Sequence, residues 1–289
     1  MPRRKVYFDT NTLFDLTQKR CGVTDADAKR VLQAKENEEI SVLVSMVHIE
    51  EVAAGLTRCP QKACDDLKYI LSLANPALYL RWPLDILAEQ IDCYARDSCP
   101  ESPYMPPDSL QKLRDPNLHR DAGFLQALEP YREQRLCFVD LLKNTYNDLS
   151  SGWKNLSETQ KRVREDFADW WGEPAEALAG VFAKCLKVFD ECEQRGIQGL
   201  LQVRSVRLCV GYLNSLIYSH VIDNKESTPT FKGWSPRPSD WGDALHAICA
   251  ADTDVFVTGD GEFAKVLDRI EIPGLEVVKL PEFLERLGN

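Results

Sequence analysis

The sequence predicts an α/β protein, a parallel sheet sandwiched by helices and interrupted by an all-helical insertion. Three observations predict it. Residues 255–257 (VFV) are a short continuous apolar run, as expected of a strand covered on both faces, and 5–8 (KVYF) and 40–44 (ISVLV) read as two more, mainly apolar strands. Each is followed by a segment of helical periodicity, and strands alternating with helices imply a parallel sheet. From residue 97 to about 202 the strand signals vanish and only helical segments remain. Residues 1–96 and 203–289 therefore read as two parts of one α/β domain, and 97–202 as a helical insertion.

Taken in order, residues 5–8 form the first strand, with Asp9 at its end, and 11–19 a helix. Thr24 can cap a second helix running to about residue 38, with Asp25 and Asp27 in its first turn complementing the dipole. After the strand 40–44, Ser45 is an N-cap for a helix over 46–56 that carries adjacent Glu50 and Glu51 and stops near Gly55. A helix over 62–74, a short strand over 78–80 (LYL) and a proline-started helix over 83–96 follow. Residues 99–107 (CPESPYMPP) are a proline-rich loop, and Asp115-Pro116-Asn117 is another break. In the insertion, helices are expected over 122–128, 130–149, 157–171 and 174–195. Ser157 and Gln160 make a capping box, and Gly196 and Gly199 punctuate the end. A long apolar helix over 203–222 and a polar loop over 224–238 lead to Ala244, Leu245, Ala247, Ile248 and Ala251, the stripe of a short helix. The strand 255–257, a helix over 262–267, a last strand over 275–280 (LEVVKL) and a helix over 281–287 close the chain.

Sites in open α/β sheets form just past the carboxyl ends of parallel strands. Four acids fall at or near such ends: Asp9, Glu51, Asp243 and Asp260. Clustered carboxylates repel and need cations or shared protons. Hard oxygen ligands suit Mg²⁺ or Mn²⁺, and two such ions about 3.5–4 Å apart can activate water against a phosphodiester. Each acid also has a purely structural reading. Asp9 can cap the following helix, Asp243 can be an acid of a helix N-terminus, Asp260 a turn residue, and Glu51 a solvated surface residue.

The segments VYFDTNTL, SMVHIEEVAAG, GDALHAICAADTDVFVTGDGEF and GLEVVKLPEFL resemble the successive landmarks of the PIN-domain nucleases, over residues 5–96 and 203–287. The resemblance implies a three-layer α/β/α fold and metal-dependent RNA cleavage by a cluster of acids. Asp9 matches the first acid, with Asn11 after it as a polar helper. Glu51 matches the second, standing four residues before Gly55, with Glu50 the competing choice. Asp243 matches the third and Asp260 the fourth, after a family-like Thr258. Asp240 and Asp254 are near misses, read as a loop or cap acid and a residue leading into the strand. The resemblance implies Mg²⁺ or Mn²⁺ as cofactor and RNA as substrate. It leaves room for a homo-oligomer and for a protein inhibitor such as the antitoxin of a toxin–antitoxin pair. The insertion departs from the minimal toxin members and bears on substrate and partner, not on the four acids.

A hydrophobic content of 44% and a charged content of 28% are ordinary for a globular protein. The net charge of −10 argues mildly against nucleic acid, since binders more often carry a basic face, though a local basic patch can act beside an acidic site. No apolar run approaches the ~20 residues of a membrane span, and no secretory leader is recognisable; the expected location is cytoplasmic, with no membrane partner. The ten cysteines include no C-x-x-C pair and read as buried reduced thiols. Candidate RNA contacts are Lys154, Lys161 and Arg162 around Trp153, with the solvated helix face as the favoured reading, and Arg204 and Arg207, one turn apart. His48 and His246 lie near the acids and are read first as packed or hydrogen-bonded helix residues, second as proton shuttles.

Three functions compete. The leading one is a metal-dependent endoribonuclease. A haloacid-dehalogenase-like phosphatase would need an acid two residues after Asp9, where Asn11 stands. The non-enzyme reading is a PIN-like binding or scaffold module acting through its insertion.

Overall fold

The computed structural model describes residues 3–113, 122–154, 167–221 and 238–287. Five strands, β1 (Arg4–Phe8), β2 (Ile40–Ser45), β3 (Ala74–Leu80), β4 (Val255–Thr258) and β5 (Glu276–Lys279), form one all-parallel sheet in the order β3-β2-β1-β4-β5. The five expected strands are these five. β2 and β4 are buried at every position, which is why their sequences are mainly apolar.

From β1 the chain moves outward through α1 (Thr10–Gln18) and α2 (Asp25–Glu36) to β2, then through α3 (Met46–Ala53) and α4 (Pro60–Leu73) to β3. It returns past β1 to β4 and continues to β5, in the opposite direction across the sheet. Right-handed crossovers run in opposite senses put their helices on opposite faces. Accordingly α1 through α4 pack on one another. On the other side α5 (Pro83–Arg96) and α11 (Arg204–Val221) pack with α12 (Pro238–Cys249), and α13 (Gly261–Asp268) packs on α11. The closing helix α14 (Leu280–Arg286) returns to α2. The strand order reverses between β1 and β4, the crevice where α/β folds place their sites.

Between α5 and α11 lie α6 (Pro107–Leu113), α7 (Ala122–Lys154), α8 (Phe167–Cys185), α9 (Phe189–Arg195) and α10 (Ile197–Leu200). They share a continuous hydrophobic core with the sheet. Here the sequence misled in detail. Pro130 and Pro174 do not open new helices but lie inside α7 and α8. An internal proline costs about 3 kcal/mol. Along α7, however, Phe124, Leu128, Phe138, Leu142 and Tyr146 are all buried on one stripe, and each large apolar side chain returns about 1.5–3 kcal/mol. The helix expected over 174–195 breaks instead at Lys187, whose φ of 60° is left-handed. Asp240, read as a loop or cap acid, lies within α12, which begins at Pro238. The helix 157–171, the loop 224–238 and the break at 115–117 fall wholly or largely outside the described residues.

The thiols are free, but they are not generally buried: Cys192, Cys209 and Cys249 are, whereas Cys21, Cys59, Cys99, Cys137 and Cys185 are exposed. No described helix is long and apolar enough to cross a membrane.

Candidate active site

The register of the sheet builds the floor of the site. Phe8 pairs with Val257, so the next step along both strands brings Asp9 beside Thr258. Asp9 is buried, and its Oδ1 accepts the Thr12 backbone N–H at 2.6 Å, capping α1. The Thr258 hydroxyl donates to Asp9 Oδ2 and accepts the Asp260 N–H at 3.0 Å. Asp260 caps α13, its Oδ1 receiving the N–H groups of Glu262 at 2.8 Å and Phe263 at 3.2 Å. Asp9 and Asp260 thus sit at the β1–β4 switch, joined through Thr258; Asp9 carries the capping role that sequence offered as its alternative, while Asp260, read alternatively as a turn residue, is a helix cap instead. Burial raises the Asp9 carboxyl above its usual range, against the opposing pull of the Thr12 and Thr258 hydrogen bonds.

Next to this floor lies a buried polar hub around His246. Asp243 and His246 stand one turn apart on α12, a spacing that shares a face. Nε2 of His246 lies 3.2 Å from Glu51 Oε2 and 3.3 Å from Thr10 Oγ1, and Nδ1 lies 2.8 Å from the Tyr7 hydroxyl. That hydroxyl in turn reaches Ser45 Oγ at 2.9 Å. Burial works against charging His246, but Glu51, Asp9 and Asp243 together raise it above the ordinary histidine range. Glu51 is held low: burial opposes its charge, and His246 and Arg135 more than compensate. Asp243 Oδ2 accepts from the Tyr212 hydroxyl at 3.4 Å.

His48 has a different task. Its Nδ1 accepts the Ser45 backbone N–H at 3.0 Å, so that nitrogen is unprotonated, and Nε2–H donates to the Phe8 carbonyl at 2.8 Å. Burial lowers its pKa to about 3. It is a packed neutral imidazole that pins α3 to β1.

The second motif points its two acids at different partners. Glu51 reaches the His246 hub, while Glu50 is buried against α7. From α7, Arg135 spans both: Nη1 donates to Glu50 Oε2 and Nη2 to Glu51 Oε1, each at 2.6 Å. Arg132 Nε lies 3.5 Å from Glu50 Oε1. Sequence reasoning missed this arginine pair. One signal was available: Arg132 and Arg135 fall four and seven residues after buried Leu128, on the apolar stripe of α7, where a charge needs a reason. Asp15 was missed too. It is buried, paired with Arg20 at 3.1 Å, and close enough to Gly259 that a Cβ there would stand 3.2 Å from its Oδ2.

Other expected contributors lie elsewhere. Arg204 Nη2 donates to the Thr253 carbonyl at 3.0 Å, and Arg207 Nη2 to that of Ile270 at 3.3 Å while its guanidinium lies over the Trp171 ring. Thr253 and Ile270 precede β4 and β5, so both arginines anchor loops at the amino ends of the strands, opposite the acids. Asn11 is exposed. Asp254 tethers the start of β1 by accepting the Lys5 N–H at 2.8 Å. Lys154 ends α7, and Lys161 and Arg162 lie outside the described residues.

As arranged, the acids do not fit a divalent cation. Among the described residues no three His, Cys, Asp or Glu side chains are grouped to hold a metal ion. Every carboxylate oxygen of Glu50 and Glu51 faces Arg132, Arg135 or His246, and both Asp9 oxygens accept protein hydrogen bonds. No family model, no curated protein and no solved structure matches this chain.

Proposed function

We propose that this protein is a PIN-like endoribonuclease whose acid site is closed by its own insertion. One observation carries the reading. Asp9 and Asp260 are tied through Thr258 at the switch of strand order, with Glu51 and Asp243 flanking His246 beside them. Asp9 follows β1, Glu51 lies on α3, Asp243 on α12 and Asp260 after β4, segments far apart in sequence, and this supports the reading. Asp9, raised by burial, and His246, raised by its acidic neighbours, are the groups able to take up and hold a proton there. RNA is the expected substrate, and Mg²⁺ or Mn²⁺ the expected ions once the carboxylates are released from the arginines. No catalytic step is assigned to an ion in the closed arrangement.

The test incubates purified protein with labelled single-stranded and hairpin RNA, with Mn²⁺, Mg²⁺ or chelator, beside Asp9→Asn. Cleavage that needs the ion and disappears in the variant is the expected result. Cleavage that persists in Asp9→Asn or in chelator overturns the reading.

The second reading is a binding or scaffold module. It is favoured by the internal pairing of Glu50 and Glu51 and by an apolar cavity of about 610 Å³ between α5, α7 and α8, lined by Leu84, Leu87, Ile91, Phe138 and Phe182. Absence of divalent-ion binding in wild type and in every variant that frees the acids would select it.

A further inference from the structure

We propose that the apolar groove between α5, α7 and α8 docks a basic amphipathic helix of a partner protein, whose apolar stripe fills the groove and whose lysines or arginines meet Asp85 and Glu133 on its rim. None of the four acids lines this groove, so its occupant does not depend on RNA cleavage.

The groove is built from helical periodicity. Leu84, Leu87, Ala88 and Ile91 stand at i, i+3, i+4 and i+7 of α5, one face of a helix. α7 carries two stripes: one enters the core, and the other turns Pro130, Cys137 and Leu141 to the groove. α8 adds Phe182 and Leu186. The floor, Leu87, Ile91, Phe138 and Phe182, is buried, whereas Asp85, Glu133, Cys137, Cys185 and Leu186 around it are exposed. An apolar centre inside a polar rim is the anatomy of a protein interface. A small-molecule site instead encloses its ligand and aims polar groups inward.

The rim selects the partner's charge. The only ionised side chains lining the groove among the described residues are the carboxylates Asp85 and Glu133. Neither forms an ion pair among the described residues, because the neighbouring cations are committed elsewhere. Arg81 is bonded to Glu89, Arg132 reaches Glu50 and Glu129, and Lys184 lies 4.5 Å from the centre of the Phe189 ring. Burial raises the Asp85 carboxyl against the pull of Arg81, so a cation brought beside it relieves a real desolvation cost. A second copy does not suit: a two-fold interface sets the same acids against each other, on chains that each carry a net charge of −10. The same acids repel RNA phosphates and an anionic bilayer. A helix with apolar residues at i, i+3, i+4 and i+7, flanked by basic ones, satisfies both floor and rim.

The thiols already in the groove report its occupancy. The probe is a fluorescein-labelled amphipathic peptide of leucine and lysine, about 18 residues or five turns long. A scrambled peptide of the same composition and a leucine–glutamate peptide of the same apolar spacing are the controls. Anisotropy gives affinity for the full chain, and mass spectrometry gives alkylation rates at Cys137 and Cys185, with exposed Cys21 and Cys59 as internal references. The leucine–lysine helix is expected to bind at least about tenfold more tightly than either control. At saturation it should suppress alkylation of Cys137 and Cys185 while leaving Cys21 and Cys59 unchanged. Asp85→Asn/Glu133→Gln and Leu186→Ser replace exposed side chains, and melts confirm their fold. Each should bind the probe about tenfold more weakly than wild type. No preference over the scramble, binding that leaves Cys137 and Cys185 fully reactive, or undiminished affinity in the folded double variant overturns the proposal. A sedimenting dimer with both thiols protected before any peptide is added would give the groove to a second copy. Protection by dodecylamine but not by the helix would give it to a small amphiphile. Either result also overturns the proposal.

Discussion

Replacing Asp9 separates its structural work from its chemistry. The carboxylate caps α1 through the Thr12 N–H and receives the Thr258 hydroxyl, and it is buried. In Asp9→Ala the cap is lost, at about 0.5–2 kcal/mol, and the buried Thr258 O–H loses its acceptor, at about 1–3 kcal/mol. Together these predict a fall of about 1.5–5 kcal/mol in urea unfolding. Asp9→Asn keeps an equally good cap and should cost less than about 1 kcal/mol. The pH dependence adds a signed check. Burial raises the folded-state pKa of Asp9 above its unfolded value. Between those two values the folded protein binds more protons than the unfolded one, so this group's contribution to stability falls as pH rises through the window. Asparagine has no such slope. Asp9→Asn should therefore look progressively better against wild type from pH 4 upwards. An Asp9→Ala protein as stable as wild type, or an Asn variant as damaged as the Ala variant, would refute the reasoning.

The remaining predictions follow the same geometry. His246 has a raised pKa, so the stability it contributes is present below the unfolded histidine value of about 6.5 and lost as pH rises through the folded value. In chelator-treated protein, His246→Gln should flatten that part of the stability profile followed by chemical denaturation. Arg204→Gln removes a donor from the Thr253 carbonyl at the amino ends of the strands. It should cost about 1 kcal/mol in unfolding and leave the rate of RNA cleavage unchanged; a large loss of cleavage would return Arg204 to the substrate path. Trp170→Phe strands the Oδ1 of buried Asn214, which now receives the indole N–H at 2.7 Å, and should cost about 1–3 kcal/mol in a urea titration. Asp260→Asn keeps an N-cap on α13 and should melt like wild type while cleavage is lost.

The sheet was legible because its evidence is local. A strand buried on both faces is mainly apolar, so VFV and ISVLV announced themselves without any knowledge of their neighbours. Strand order was not written in any one segment, yet the alternation of strands and helices limited it to a few arrangements. Within these, Asp9 and Asp260 owe their positions to strand ends, which is why they could be named from sequence. The insertion was less legible because two strong local signals gave way to packing. Pro130 and Pro174 ordinarily end helices, and here the buried stripes on either side of them outweigh the lost backbone bonds.

The same contrast explains why the acids were found and their partners were not. An acid at a strand end is a one-dimensional signal. The partner of Glu51 is an arginine 84 residues later, on a helix whose docking angle depends on the whole core. Its mark in the sequence is only an arginine where the stripe of α7 calls for an apolar side chain, and such a residue is explained once something of opposite charge is found beneath it. Arg204 and Arg207 show the reverse error: basic residues one turn apart looked like substrate contacts, but long side chains at the buried start of a helix satisfy carbonyls first. A buried arginine is therefore uninformative until its acceptor is known. Where the acceptor is a backbone carbonyl the residue holds the fold together, and where it is a pair of adjacent carboxylates, as Arg135 meets Glu50 and Glu51, it neutralises charge that burial would otherwise leave unpaired.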